Sequence, residues 1–107
     1  MQIEQLLKAL GEPTRFKMYG CLLERKHCVG SLAEKLGISE SAVSQHLKLM
    51  REAGLIYSER FGYHTHYLPS QEAADLLAGS FLDFQNKSRA LDREDEKCQC
   101  ILTYRGA

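Results

Sequence analysis

The segment Ile38–Leu55, ISESAVSQHLKLMREAGL, decides the fold, because it can be an ordinary packed helix or a helix that reads DNA. Val43, Leu47 and Met50 fall at i, i+4 and i+7 and draw one apolar stripe. Ser39 offers a hydroxyl to the unpaired N–H groups of the first turn, Glu40 suits its positive end, and Gly54 stops the helix. The other side carries Glu40, Ser41, Ser44, Gln45 and Lys48. Short hydrogen-bonding side chains in that position can enter a major groove: Gln45 is suited to adenine, serine or lysine to base edges or phosphates. The same residues also occur on solvated helices, so this face alone leaves both readings open.

Its neighbours narrow the choice. Upstream, Val29, Leu32, Ala33 and Leu36 keep helical spacing for about two turns, Gly37 suits a left-handed C-terminal cap, and Ile38 fills the turn. Downstream the period changes to alternation in LIYSER and YHTHYL, two runs separated by Phe61-Gly62, where Gly62 supplies the positive φ of a tight hairpin. Two short helices joined through a glycine turn and followed by a hairpin are the parts of a winged helix-turn-helix, a mainly α fold with a small β-hairpin.

Ile3, Leu6, Leu7 and Leu10 place a first helix within residues 1–10, ended by Gly11. Pro13 restarts the chain at a first-turn position, and Phe16, Tyr19 and Leu23 form the apolar stripe of a second helix. Gly20 either admits another helix closely or weakens this one. Pro69 closes the second strand, Ser70 caps a final helix over 70–95, and Ala73, Ala74, Leu77, Phe81, Phe84 and Leu91 keep its spacing, with the charged run LDREDEK fraying its end. Residues 96–107 form a cysteine-containing tail. The whole chain, 1–107, reads as one domain.

Composition supports this and excludes other classes. The chain is 44% hydrophobic and 26% charged, which fits a globular protein. Fourteen basic residues balance fourteen acidic ones, so a nucleic-acid surface must be local. No apolar run approaches the roughly 20 residues that span a bilayer, and MQIEQLLKALGEP lacks the features of a signal peptide, so no membrane partner and a cytoplasmic location are expected. Four cysteines, Cys21, Cys28, Cys98 and Cys100, are then expected as thiols or metal ligands. There is no Gly-rich phosphate loop, nucleophile elbow or convincing carboxylate pair, and the neighbours His27 and Cys28 do not make a catalytic dyad, so an enzyme is not expected. A winged helix can also serve as a protein-interaction module without DNA.

LLKALGEPTRFKMYGCLLE, LAEKLGISESAVSQHLKLMREAGLI and YSERFGYHTHYL together resemble the ArsR/SmtB family of small metal- or thiol-responsive bacterial repressors, over Leu6–Leu68. The resemblance implies a homodimer on a double-stranded DNA operator, with one recognition helix per half-site and wings reaching the flanking DNA. Ser41, Ser44 and Gln45 match its exposed recognition-helix positions. His46 matches the histidine before Leu-Lys, where packing, a phosphate contact or base reading are all open. Lys48 follows on the same helix, and Arg60, Tyr63 and His64 sit on the wing. His64 and His66 share one face of a strand, where plain exposure and DNA contact both fit. Arg15 and Arg51 suit phosphates or ion pairs. The apolar stripes of the first and last helices exceed one monomer's core, which dimerisation would answer.

Metal-responsive members of the family carry Cys-x-Cys in the third-helix region. Here HCVGSL keeps Cys28 but has Gly30 in place of the second thiol, and the last helix lacks the histidine of the family's other site. Cys98-Gln99-Cys100 is the alternative source of thiolates. Cys28, Cys98 and Cys100, from one or both subunits, would suit As(III), Cd(II) or Pb(II), thiophilic ions that act as inducer and are not required for folding. A reversible disulfide or polysulfide bridge between Cys28 and a tail cysteine is the redox alternative, and an idle tail is the third. Cys21 is expected as a small buried hydrophobe and His27 as an exposed residue.

Overall fold

A computed structural model describes residues 1–98. In chain order it contains α1 (Ile3–Leu10), α2 (Pro13–Glu24), α3 (Val29–Leu36), α4 (Glu40–Glu52), β1 (Ile56–Phe61), β2 (His64–Pro69) and α5 (Gln71–Ala90). The boundaries follow local chemistry. Ser39 Oγ accepts the Ala42 N–H at 3.1 Å and Ser70 Oγ accepts that of Ala73 at 3.3 Å, so each hydroxyl satisfies a first-turn donor. Gly37, at φ 68°, ends α3 in the left-handed region. The last helix stops at Ala90, short of the charged run.

β1 and β2 pair antiparallel in a two-stranded sheet, from Ile56 opposite Pro69 to Phe61 opposite His64. The connection is therefore Gly62-Tyr63, one residue later than the spacing indicated. Gly62 has φ 63°, and no non-glycine residue among those described has positive φ, which is the pattern of a two-residue loop with glycine first. Helix pair and hairpin make a winged helix-turn-helix.

The core gathers one face from each helix: Leu6 of α1, Met18 and Leu22 of α2, Leu32 of α3, Val43, Leu47 and Met50 of α4, and Leu55 just before β1 are almost fully buried. Each such side chain stabilises the fold by about 1.5–3 kcal/mol relative to exposure. The face of α2 differs from expectation. Its buried residues are Met18, Tyr19, Cys21 and Leu22, whereas Phe16 and Leu23 are 66% and 56% exposed. Helical spacing fits two adjacent stripes here, and packing chose the one containing Met18 and Leu22. Phe16 and Leu23 instead border an apolar groove with Leu10, Tyr19, Gly20, Ala74, Leu77 and Phe81. Nothing comes within 4 Å of where a Cβ on Gly20 would stand, so this glycine opens the groove and admits no helix within the protomer.

Only the start of α5 is rooted in the core, through Ala73 and Leu77. Phe81, Leu82 and Phe84 remain about half exposed or more, with Phe81 and Phe84 in edge contact at 6.0 Å. Among the described residues, no helix is long and apolar enough to cross a membrane.

Candidate nucleic-acid interface

Burial of Val43, Leu47 and Met50 fixes the rotation of α4, and it leaves Glu40, Ser41, Ser44, Gln45 and Lys48 exposed. The candidate reading face is thus set by the core on the opposite side of the helix. Its N-terminal end lies beside the wing: Glu40 borders one cleft of about 280 Å³ with Cys28, Val29 and Gly30 of the α3 start and Tyr63, His64 and Thr65 of the wing tip. Tyr63 is 99% exposed. Arg60 is exposed on β1 opposite Thr65.

The wing is braced from the side. The backbone of His27 bridges to Tyr67, with Tyr67 N–H donating to His27 O at 2.8 Å and His27 N–H donating to Tyr67 O at 3.4 Å. Lys26 places its ammonium 3.9 Å from the centre of the Phe61 ring, which in turn lies 4.9 Å from the His66 ring. His64 and His66 stack nearly parallel at 6.5 Å. The loop before α3 therefore holds both ends of the hairpin, a contact that sequence spacing did not indicate.

His46 is turned away from the groove-reading set. Its Nδ1 lies 3.5 Å from Arg15 Nη1 and 3.8 Å from Glu12 Oε2, so the structure favours the packing alternative for this residue. Glu12 caps α2 by accepting the Arg15 N–H at 2.9 Å. That bond, with a second from Thr14, holds the Glu12 carboxyl below the usual carboxylate range, and His46 adds to the effect. Arg15 Nε donates to Ala9 O at 2.6 Å near the end of α1. Arg15 thus joins α1, α2 and α4, which is a structural role. Arg51 is exposed on α4.

The thiols fall into different environments. Cys21 is buried in the core, as expected. Cys28 is half-buried and caps α3: its Sγ accepts the Ser31 N–H at 3.4 Å. Bonds from Ser31 lower the Cys28 pKa below the ordinary thiol value, against a smaller opposing effect of burial. Cys98 is exposed and Cys100 lies outside the described residues. Among the described residues, no three His, Cys, Asp or Glu side chains gather as a metal site.

His27 corrects the expectation of exposure: it is only 7% exposed. The bridge to Tyr67 covers it with the wing. Ser31 Oγ donates to Cys28 O at 3.1 Å, so it accepts from His27 Nδ1 at 2.8 Å, leaving Nε2 as the bare acceptor of a neutral ring. Nε2 is buried and has no hydrogen-bond partner among the described residues. Burial, with Lys35 and Arg25 adding their charge, lowers the His27 pKa.

Residues 12–58 match the family described as "Bacterial regulatory protein, arsR family". The nodulation protein NolR of Rhizobium meliloti is 34% identical over 72% of this chain, which spans 63% of NolR, less than two thirds of that protein. The biofilm growth-associated repressor of Xylella fastidiosa is 31% identical over 78% of this chain and 74% of its own length. The crystal structure of a possible transcriptional regulator for arsenical resistance superposes with a TM-score of 0.67 at 28% identity, covering 85% of this chain and all of the other. With the helix pair, the hairpin and the capped, core-anchored α4 on one scaffold, the chain belongs to the ArsR family of bacterial regulatory proteins.

Proposed function

We propose that the protein is a cytoplasmic, homodimeric transcriptional repressor that places one α4 in each half-site of a two-fold DNA operator and is released by chemistry at Cys28. The observation that carries the DNA reading is the shared cleft of Glu40, Tyr63 and His64, which puts the first turn of α4 and the wing tip side by side. Ser41, Ser44 and Gln45 then face base edges, Lys48 reaches base edges or phosphates, and Arg60, Tyr63 and His64 follow the flanking backbone. His46 acts from behind, by steadying α4. The exposed apolar surface of Phe16, Leu23, Phe81 and Phe84 supports the dimer, since a patch of this kind calls for a partner. Two recognition helices would then meet half-sites about 34–36 Å apart.

The test is binding to duplexes selected from a random-sequence pool. Two-fold sites and a log affinity falling linearly with log salt are expected. No retention of DNA at low salt would favour a winged-helix protein-interaction module instead.

For the input, a thiophilic ion such as As(III) held by Cys28, Cys98 and Cys100 fits the donor chemistry, soft thiolates for a soft ion. The similarity to a possible transcriptional regulator for arsenical resistance supports this reading. Within the described residues only Cys28 and Cys98 of that set are present. Thiol oxidation is the second reading, favoured by the hydrogen bond that stabilises the Cys28 thiolate. As(III), Cd(II) or Zn(II) added to the DNA complex, against hydrogen peroxide, separates them. Release that persists unchanged in a chain with Cys28, Cys98 and Cys100 all replaced by serine would remove both.

A further inference from the structure

The link between α2 and α3, Arg25 to Cys28, is held at both ends. Arg25 N–H donates to Cys21 O at 3.2 Å, closing α2, and Cys28 caps α3. Between them His27 is paired to Tyr67 of β2 and buried. Lys26 is exposed on this anchored backbone, yet its ammonium lies 3.9 Å from the centre of the Phe61 ring at the end of β1. The Phe61 ring in turn meets the His66 ring at 4.9 Å. An ammonium over an aromatic face is attracted by the ring quadrupole. The hairpin needs such support, because two strands alone are marginally stable and its tip, Arg60 to His64, is exposed throughout.

We propose that Lys26 is a positioning residue for the wing: by holding Phe61 it sets the direction in which Arg60 and the Gly62-Tyr63 turn meet the flanking DNA. This rests on the DNA reading above and deepens it. Successive side chains of a strand point to opposite faces, so a contact that fixes Phe61 towards the α2–α3 link also fixes where its neighbour Arg60 leaves the strand. The turn that carries Tyr63 follows directly. Lys26 acts through Phe61 and not on a phosphate, since its ammonium is engaged by the ring. A wing released from this contact samples other orientations, and affinity falls in proportion to the fraction that remains correctly placed. Phe61 is 41% exposed, and an ammonium–ring attraction at such a site sets the size of the effect. It amounts to about two- to fivefold for each wing, hence about five- to thirtyfold for a dimer.

The experiment uses the full chain with Lys26→Met, Lys26→Arg, Phe61→Leu and the combined Lys26→Met and Phe61→Leu, each measured on an operator selected from the random-sequence pool at several salt concentrations. Lys26→Met and Phe61→Leu are expected to weaken binding by the same factor within that range, and the combined variant by no more than either. Lys26→Arg, whose guanidinium also stacks on a ring, should restore wild-type affinity. The Lys26→Met variant should keep the wild-type salt slope and melting temperature. Without DNA, the amide order parameters of Phe61 and Tyr63 should fall in Lys26→Met and recover in Lys26→Arg. A salt slope reduced by about one in Lys26→Met, with the same loss of affinity in the Phe61→Leu background, would make Lys26 a phosphate ligand and overturn the proposal. Wild-type affinity and order parameters in Lys26→Met overturn it too. A wild-type chain that binds no DNA sinks the operator reading alone, and the order parameters then decide whether Lys26 holds the wing.

Discussion

His27 and Tyr67, forty residues apart in the chain, pair their backbones through bonds of 2.8 and 3.4 Å. The pairing buries the His27 ring and ties the α3 start to the wing, so the protonation of His27 is linked to folding. Its folded pKa lies below the usual imidazole value, while the unfolded chain keeps a value near 6.5. Below that value the unfolded state binds more protons than the folded one. Stability is then fully present above about pH 6.5 and falls as pH drops towards the folded pKa. Urea denaturation at stepped pH should show this decline, and His27→Gln should flatten it. A wild-type stability unchanged from pH 7.5 to pH 5 would refute the linkage.

Opposite sides of α4 should respond to different measurements. Leu47→Ala removes a side chain that is almost fully buried, and a loss of about 2–5 kcal/mol in unfolding free energy is expected. Ser44→Ala, on the exposed side, should stay within about 0.5 kcal/mol of wild type. Equal losses in the two variants would mean that Ser44 belongs to the core.

Specific and non-specific DNA contacts should separate within the same helix. Gln45→Ala is expected to relax selection at one base pair by about 1–3 kcal/mol while keeping the salt slope. Lys48→Ala, if its ammonium meets a phosphate, should weaken binding to all sequences alike and reduce the salt slope by about one. Affinity measured against single-base operator variants at several salt concentrations distinguishes the two. A Gln45→Ala variant with wild-type sequence selection would take base reading away from that residue.

Charge placed in the apolar groove should break the dimer. Phe16 and Phe81 are both exposed and border the same groove, so Phe16→Glu or Phe81→Glu costs little in the monomer but buries an unpaired carboxylate in an interface. Sedimentation equilibrium should show monomers that keep wild-type helical circular dichroism. Persistence of dimers in both variants would place the interface elsewhere.

The elements of this fold were legible because each carries its own local signal. Ser39, Ser70, Gly37 and Gly62 are capping or turn residues whose effect reaches only a few positions along the chain; the first three act where spacing indicated, and Gly62 supplies its positive φ in a turn one residue later than expected. The α4 stripe was equally clear, since no other set of apolar residues on that helix competes with Val43, Leu47 and Met50. On α2 two stripes competed. Periodicity drew Phe16, Tyr19 and Leu23; the core kept Tyr19 but took Met18 and Leu22 in place of the other two. The site divided in the same way: the exposed residues of α4 followed from its stripe, while the partners of His46 did not.

By itself, then, the sequence determined which segments are helices, that a hairpin follows them, and which side of α4 remains exposed. These depend on hydrogen bonds and periodicities within a few residues. Tertiary structure alone decided that His27 is buried beneath the wing, that Arg15 and Glu12 hold His46, and that Cys28 shares a cleft with Glu40 and His64. Each of these brings together groups from separate elements, and such contacts exist only once the helices have packed at particular angles and the hairpin has folded back onto the loop before α3.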